Sequence, residues 1–187
     1  MLTGTFIILV LVSLAYTQPR EPDRTYDSCE AVLDRGTSSC NGAAPGTRFY
    51  YDKEMDDCFE YFYEGCGGGQ NTFHDYNSCR TTCIPADKQQ CGGNAPTTGT
   101  CTRENRKCPA GSKCDVGTQG AGICCDTKNE EEWEKERHPV CKTGKLAMKK
   151  EWYGDAILLG RSCSHKFCPK DYQCIQSKRL AHCCGGP

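Results

Sequence analysis

Large apolar residues are scarce in this sequence. Apolar types make up 37% of the 187 residues, with only 3 Met and 2 Trp, so a broad hydrophobic core cannot be the main source of order. After the first 16 residues no apolar run is long enough for a membrane-spanning helix. Neither sign of charge dominates: 23 Lys and Arg stand against 24 Asp and Glu, a formal net charge of -1. That balance argues against a general nucleic-acid binder. No collagen repeat is present, and neither a G-x-S-x-G elbow nor an H-E-x-x-H helix can be found. The four histidines, His74, His138, His165 and His182, are scattered. No N-x-S/T glycosylation acceptor occurs. These absences exclude the common enzyme classes and leave no expectation of a cofactor, a resident metal or a nucleic-acid partner.

What the chain has instead is cysteine: 18 of them, close to one residue in ten, and an even number. Such usage belongs to disulfide-stapled proteins of oxidising compartments. The start of the chain agrees. Residues 5–16 read TFIILVLVSLAY, and Ala15 and Thr17 take the small-residue positions before Gln18, so residues 1–17 are expected to be a secretory signal peptide. His165 and His182 lie among cysteines, a pattern that can mean zinc; export and even cysteine groups favour cystines. The expectation is a secreted, extracellular, monomeric protein without enzymatic activity.

The cysteines divide the chain into three groups of six. The first is Cys29, Cys40, Cys58, Cys66, Cys79 and Cys83. The second is Cys91, Cys101, Cys108, Cys114, Cys124 and Cys125. The third is Cys141, Cys163, Cys168, Cys174, Cys183 and Cys184. The last two share C-P-x4-C followed by an adjacent pair, an internal repeat. Neighbouring cysteines bond poorly to each other, so each adjacent pair should clip two parts of its unit together. Six cysteines allow fifteen connectivities, and spacing does not choose among them. The units fall at 29–83, 91–125 and 141–184. Residues 18–28 form an N-terminal segment, 84–90 and 126–140 are linkers, and 185–187 are a tail. Within the second linker, DTKNEEEWEKER could form two to three helical turns with Glu131 and Lys135 in i,i+4 register. Glu130/Glu134 and Glu132/Glu136 would repel on that helix, and a solvated spacer with Trp133 as its anchor is the preferred reading.

Aromatic and charged residues are unevenly spread. Nine of the Phe, Tyr and Trp residues lie between Cys29 and Cys83, so only this unit can build an aromatic core. It carries nine acidic and four basic groups, whereas residues 138–187 carry three acidic and nine basic. The basic excess could face an anionic matrix polymer, or it could offset the acidic first unit. In the first unit TRFYYD (47–52) and DCFEYFY (57–63) flank a polar turn and predict a twisted antiparallel hairpin. Phe59, Tyr61 and Tyr63 would share one face; Glu60, Phe62 and Glu64 would share the other. Asp75 can cap a short helix in which Cys79 and Cys83 lie one turn apart.

Residues 29–83 closely resemble a Kunitz-type (pancreatic trypsin inhibitor-like) domain. The features that carry the resemblance are Arg48-Phe49-Tyr50-Tyr51, Tyr61, Tyr63, Gly65-Cys66, Asn71, Phe73 and the x12 and x3 spacings from Cys66 through Cys79 to Cys83. The two repeats resemble lustrin-type cysteine-rich repeats, often joined to Kunitz domains in secreted nematode proteins, although the second has a long stretch, Lys142–Ser162, between its first two cysteines. The expected fold is therefore small and disulfide-rich: a Kunitz α+β module (hairpin plus short C-terminal helix), then two loop-rich cystine-stapled repeats. The resemblance implies the pairs Cys29–Cys83, Cys40–Cys66 and Cys58–Cys79.

It also implies reversible inhibition of an extracellular serine protease through a convex loop, here Ser39, Cys40, Asn41, Gly42, Ala43 and Ala44 with Glu64 beside it. Asn41 would fill the specificity pocket. The loop is atypical. Asn41 is neutral, whereas a trypsin-like pocket wants Lys or Arg. NGAAPGT is two residues longer than the family pattern. Ser38 and Glu64 stand where the family has Gly, and Glu64 brings an acidic group to the loop. The alternative is a Kunitz scaffold that no longer inhibits and serves as a matrix or cuticle component through protein contacts.

Overall fold

The computed structural model describes residues 28–42, 44–151 and 154–186. The expected signal peptide, the N-terminal segment up to residue 27 and Ala43 lie outside the described residues. Nine disulfides tie the chain, and among the described residues no cysteine is free. In each group of six the first cysteine joins the sixth, the second the fourth, and the third the fifth.

The first unit is the expected hairpin and helix. Strands β1 (Gly46–Asp52) and β2 (Asp57–Tyr63) pair antiparallel, with Tyr50 opposite Phe59 and Arg48 opposite Tyr61. Asp52 closes the turn by accepting from Met55 N at 3.0 Å. Helix α1 (Tyr76–Cys83) begins at Asp75, whose side chain accepts from Ser78 N at 2.8 Å and so satisfies a donor the helix leaves free. Cys79 bolts α1 to β2 at Cys58, and Cys83 bolts it to Cys29. Asn71, 2% exposed, accepts from Tyr51 N and donates to Ala31 O and Tyr51 O. It satisfies backbone groups that no strand or helix reaches.

The two repeats are built alike. In the first, β3 (Gly99–Thr102), β5 (Ala121–Asp126) and β4 (Ser112–Val116) form a sheet in that order, with Cys114 opposite Cys124. Helix α2 follows at Thr127–Arg137. In the second repeat the long stretch between the first two cysteines folds into β6 (Lys145–Leu146), the hairpin of β7 (Met148–Glu151) and β8 (Gly154–Ile157), and β9 (Leu159–Gly160). Strands β10 (Tyr172–Gln176) and β11 (Ala181–Gly185) pair antiparallel and place Cys174 opposite Cys183, the equivalent of Cys114 and Cys124. The extra stretch gives this repeat its own core of Ala147, Leu158, Phe167, Ala181 and Cys183.

Helix α2 stands where a solvated spacer was preferred. Three of its glutamates are answered by the rest of the fold, and Glu134 pairs with His138 at the helix end. Glu130 accepts from Gly92 N at 2.8 Å, Glu132 pairs with Lys178 at 2.9 Å, and Glu136 accepts from the backbone N–H groups of Arg179 and Leu180. Asp126 caps the helix start through Asn129 N. Trp133 lies so close to Gly92 that a Cβ there would fall 2.5 Å from the ring, which leaves only glycine room at that position. The Arg179 guanidinium lies over the indole at 5.0 Å and also donates to Gly92 O at 3.3 Å.

The C-terminal repeat closes over the first unit. Leu180, 2% exposed, enters the cluster of Tyr50, Met55, Phe59 and Tyr61, and Leu33, Tyr63, Trp133 and Leu159 pack around it. Around this apolar plug the charges match across the seam. Arg161 meets Asp52 at 3.2 Å and Glu54 at 2.6 Å. Lys149 meets Glu60 at 3.2 Å while lying over the rings of Phe49 and Tyr76. Glu60, on the hairpin face opposite Phe59 and Tyr61, is covered by Lys149 and is 8% exposed.

The seam contains a histidine. His165 sits edge-on to Tyr50 with ring centres 5.2 Å apart, and its Nδ1 lies 3.4 Å from the Tyr50 hydroxyl. Burial, and after it the Arg35 guanidinium, hold the His165 imidazole below its ordinary value, with Asp52 opposing. A base with a depressed folded value is protonated first in the unfolded chain, so its contribution is whole above about pH 6.5 and is lost as pH falls toward the folded value. Guanidinium titrations at pH 7.5 and pH 5.5 should show lower stability at the lower pH. His165→Gln should shrink that difference; a difference unaltered by the substitution would acquit His165.

Candidate functional site

The chain from Gly36 to Gly42 runs along Cys66 and is held there twice. Thr37 and Cys66 exchange both backbone hydrogen bonds, Thr37 N to Cys66 O at 2.8 Å and Cys66 N to Thr37 O at 2.9 Å. Three residues on, the Cys40–Cys66 disulfide repeats the tie, and Cys40 N points at the Cys66 sulfur at 3.1 Å. Gly36 makes the approach possible. Its φ is +72°, and a Cβ there would lie 2.2 Å from Cys66 O. Beyond these ties the segment faces solvent: Thr37, Ser38, Ser39, Cys40, Asn41, Gly42, Ala44 and Pro45 are all exposed. The result is an exposed ridge fixed at its base, with Asn41 beside the cystine.

Neither side chain that replaces a family glycine distorts this base. Ser38 and Glu64 are absent from the residues with left-handed φ, so their Cβ atoms cost no backbone strain. Glu64 also does not leave an acidic patch beside the loop. Its carboxylate accepts from Arg35 Nη2 at 2.5 Å and from Lys166 Nζ at 3.1 Å, and it is 19% exposed. The hydrogen bond from Lys166 holds the Glu64 carboxyl below the usual range. Two cations thus answer this one anion, and of the three only the Lys166 side chain is mostly exposed, 63% against 19% for Arg35 and Glu64. Arg35 reaches further, donating to Ser164 O at 3.0 Å. Arg35, Ser164 and Lys166 were not among the residues expected here from sequence; the opposite charge excess of the first unit and the C-terminal repeat was the only sign of them.

The histidines assemble no reactive centre. His74 and His138 are exposed, His165 lies in the seam and His182 is buried in β11. The close cysteine groups, Cys101 with Cys108 and Cys124, and Cys91 with Cys125 and Glu130, consist of disulfide-bonded sulfurs and so lack the thiolates a metal needs. Among the described residues no helix is long and apolar enough to cross a membrane.

A ridge presented on a cystine-stapled hairpin and helix defines the class: a small disulfide-rich protein that exposes a loop fixed at its base. Comparison with known proteins gives the family. Residues 28–84 match the Kunitz/bovine pancreatic trypsin inhibitor domain. A BPTI/Kunitz inhibitor domain-containing protein of Caenorhabditis elegans is 40% identical over 158 residues, covering 84% of this chain and 89% of that one. The major allergen Ani s 1 of Anisakis simplex is 34% identical over 176 residues, 88% of this chain and 89% of the allergen. The chain belongs to the Kunitz/BPTI inhibitor-domain family, and its likeness to these two relatives runs well beyond the first unit. Textilinin-4, a Kunitz-type serine protease inhibitor of Pseudonaja textilis textilis, is 42% identical over 55 residues, 29% of this chain and 61% of its own. No solved structure matches.

Proposed function

We propose that the chain is an exported, monomeric, stoichiometric inhibitor of a serine protease, acting through residues 37–45 with Asn41 in the specificity pocket. The observation that carries this reading is the doubly tied, exposed segment at Cys66. An extended segment can add as a strand to a protease cleft. Because its base is already fixed, little conformational freedom remains to be lost on binding, and contact area converts efficiently to affinity. The family of the chain supports the same reading.

Asn41 sets the expected choice of enzyme. In a trypsin-like pocket it would leave a buried carboxylate without a partner, so tight inhibition is expected of an enzyme with a neutral pocket. Inhibition constants against trypsin, chymotrypsin and elastase test this. The expected result is selective inhibition of chymotrypsin or elastase that Asn41→Gly abolishes. Asn41→Lys should tighten trypsin inhibition by at least about 100-fold, because a broken buried pair costs about 3 kcal/mol or more.

The longer loop, with glycines at Gly42 and Gly46, favours a second reading: a matrix or cuticle module that binds without inhibiting. Glycines raise the entropy lost on ordering. If no enzyme of the panel is inhibited and Asn41→Lys gains nothing, the inhibitor reading fails and this one takes its place.

A further inference from the structure

The C-terminal repeat reaches residues that flank the loop, Arg35 and Glu64. Its turn at Cys163–His165 begins at Ser162, whose hydroxyl accepts from Ser164 N, and ends at Lys166 in a left-handed conformation with φ 53°. Cys163 is tied to Cys174 in β10. From this fixed turn Ser164 O receives Arg35, and the Lys166 side chain, 63% exposed, reaches Glu64. Glu64 lies two residues from Cys66, at most about 7 Å along the chain. Cys66 is the residue on which the loop is doubly tied.

Size then decides what a partner must touch. A stable protein interface covers about 800 Å² on each side, a patch roughly 16 Å in radius. A patch of that size centred on Cys40 and Cys66 takes in Glu64 and the ammonium group beside it. We propose that Lys166, carried by the C-terminal repeat, is a specificity-determining contact for the inhibited protease and favours an enzyme with an acidic rim beside its cleft. This rests on the inhibitor reading above. The docking surface is composite: the first unit supplies the loop, and the third unit supplies a cation at its edge. Arg35 and Glu64 are each 19% exposed, whereas the Lys166 ammonium stands in solvent, so of these three charges it is the one a partner meets. The cystine and the capped turn hold the Lys166 backbone in place, which limits the freedom lost when its side chain is engaged.

A charged group at the rim of an interface acts mainly on the association rate and its salt dependence. The test uses the full chain and the protease of the panel that it inhibits most tightly. Lys166→Glu should slow association and weaken inhibition by about tenfold at low salt. Lys166→Gln should fall between it and the native chain. Both differences should shrink at high salt, where charges are screened over shorter distances. Hydrogen exchange at the Thr37 and Cys66 amides is measured alongside and should not change. Association that is unaltered or faster in Lys166→Glu overturns the proposal. So does a loss matched by faster exchange at those two amides, because Lys166 would then act by bracing the loop. A native chain that inhibits no serine protease instead overturns the inhibitor reading and this contact with it, a result distinct from any difference between variants.

Discussion

Leu180→Ala should lower stability by about 3 kcal/mol or more, and the loss should fall on the seam between the first unit and the C-terminal repeat. Truncating a buried leucine costs 2–5 kcal/mol, depending on how far the site can collapse. Here collapse is restricted. Leu180 inserts among Tyr50, Met55, Phe59 and Tyr61, side chains from a hairpin anchored by the Cys58–Cys79 disulfide. Its own backbone is fixed on both sides: Leu180 N donates to Glu136, and Leu180 O accepts from Ser177 N at 2.7 Å and Gln176 Nε2 at 3.0 Å. A cavity left there has nothing loose to fill it. Guanidinium unfolding with the disulfides intact measures the cost. Hydrogen exchange at the β2 and β11 amides shows where it falls. A loss below about 1 kcal/mol would mean that the units do not share this core in solution.

This shared core marks the limit of what the sequence discloses. The hairpin and α1 were legible because their signals are local: aromatics in alternation on either side of a polar turn, and an aspartate three residues before the serine it caps. Helix α2 was not, because the repulsion of Glu130, Glu132, Glu134 and Glu136 can be counted within the segment, whereas the groups that answer Glu130, Glu132 and Glu136 arrive from Gly92 and from residues 178–180. Bridge order in the repeats was likewise illegible, since fifteen pairings fit one spacing. That Asn41 would lie on an exposed loop was legible only through the Kunitz resemblance, and it is exposed. The environment of Glu64 did not, because Lys166 is 102 residues away. The long stretch in the second repeat was visible as a departure from the first, but its role appears only in three dimensions. Lys149, Leu159 and Arg161, the residues that grip the hairpin, all lie within it.

Double substitution of Cys29 and Cys83 by Ala should cost about 4 kcal/mol and should free the approach to the loop. The bridge closes a sequence separation of 54, the longest of the nine, and chain entropy alone assigns about that much to such a closure. The Cys163–Cys174 bridge, with a separation of 11, should cost about 3 kcal/mol by the same arithmetic. The sequel separates the two variants further. Without Cys29–Cys83, residues 28–36 are held by non-covalent ties, among them Asn71 to Ala31 O, Gly69 N to Asp34 O, Glu64 N to Arg35 O, the packing of Leu33, and the pairs of Lys53 with Glu30 and of Arg35 with Glu64. Arg35 then loosens from Glu64, and the Thr37–Cys66 bridge loses the segment that leads into it. The variant lacking Cys29–Cys83 should therefore show faster amide exchange at Thr37 and quicker cleavage of the loop by added protease. The variant lacking Cys163–Cys174 should disturb the Lys166 turn first and leave the Thr37 amide protected. Equal stability losses with no difference at Thr37 would show that the first unit holds its N-terminal segment without the long bridge.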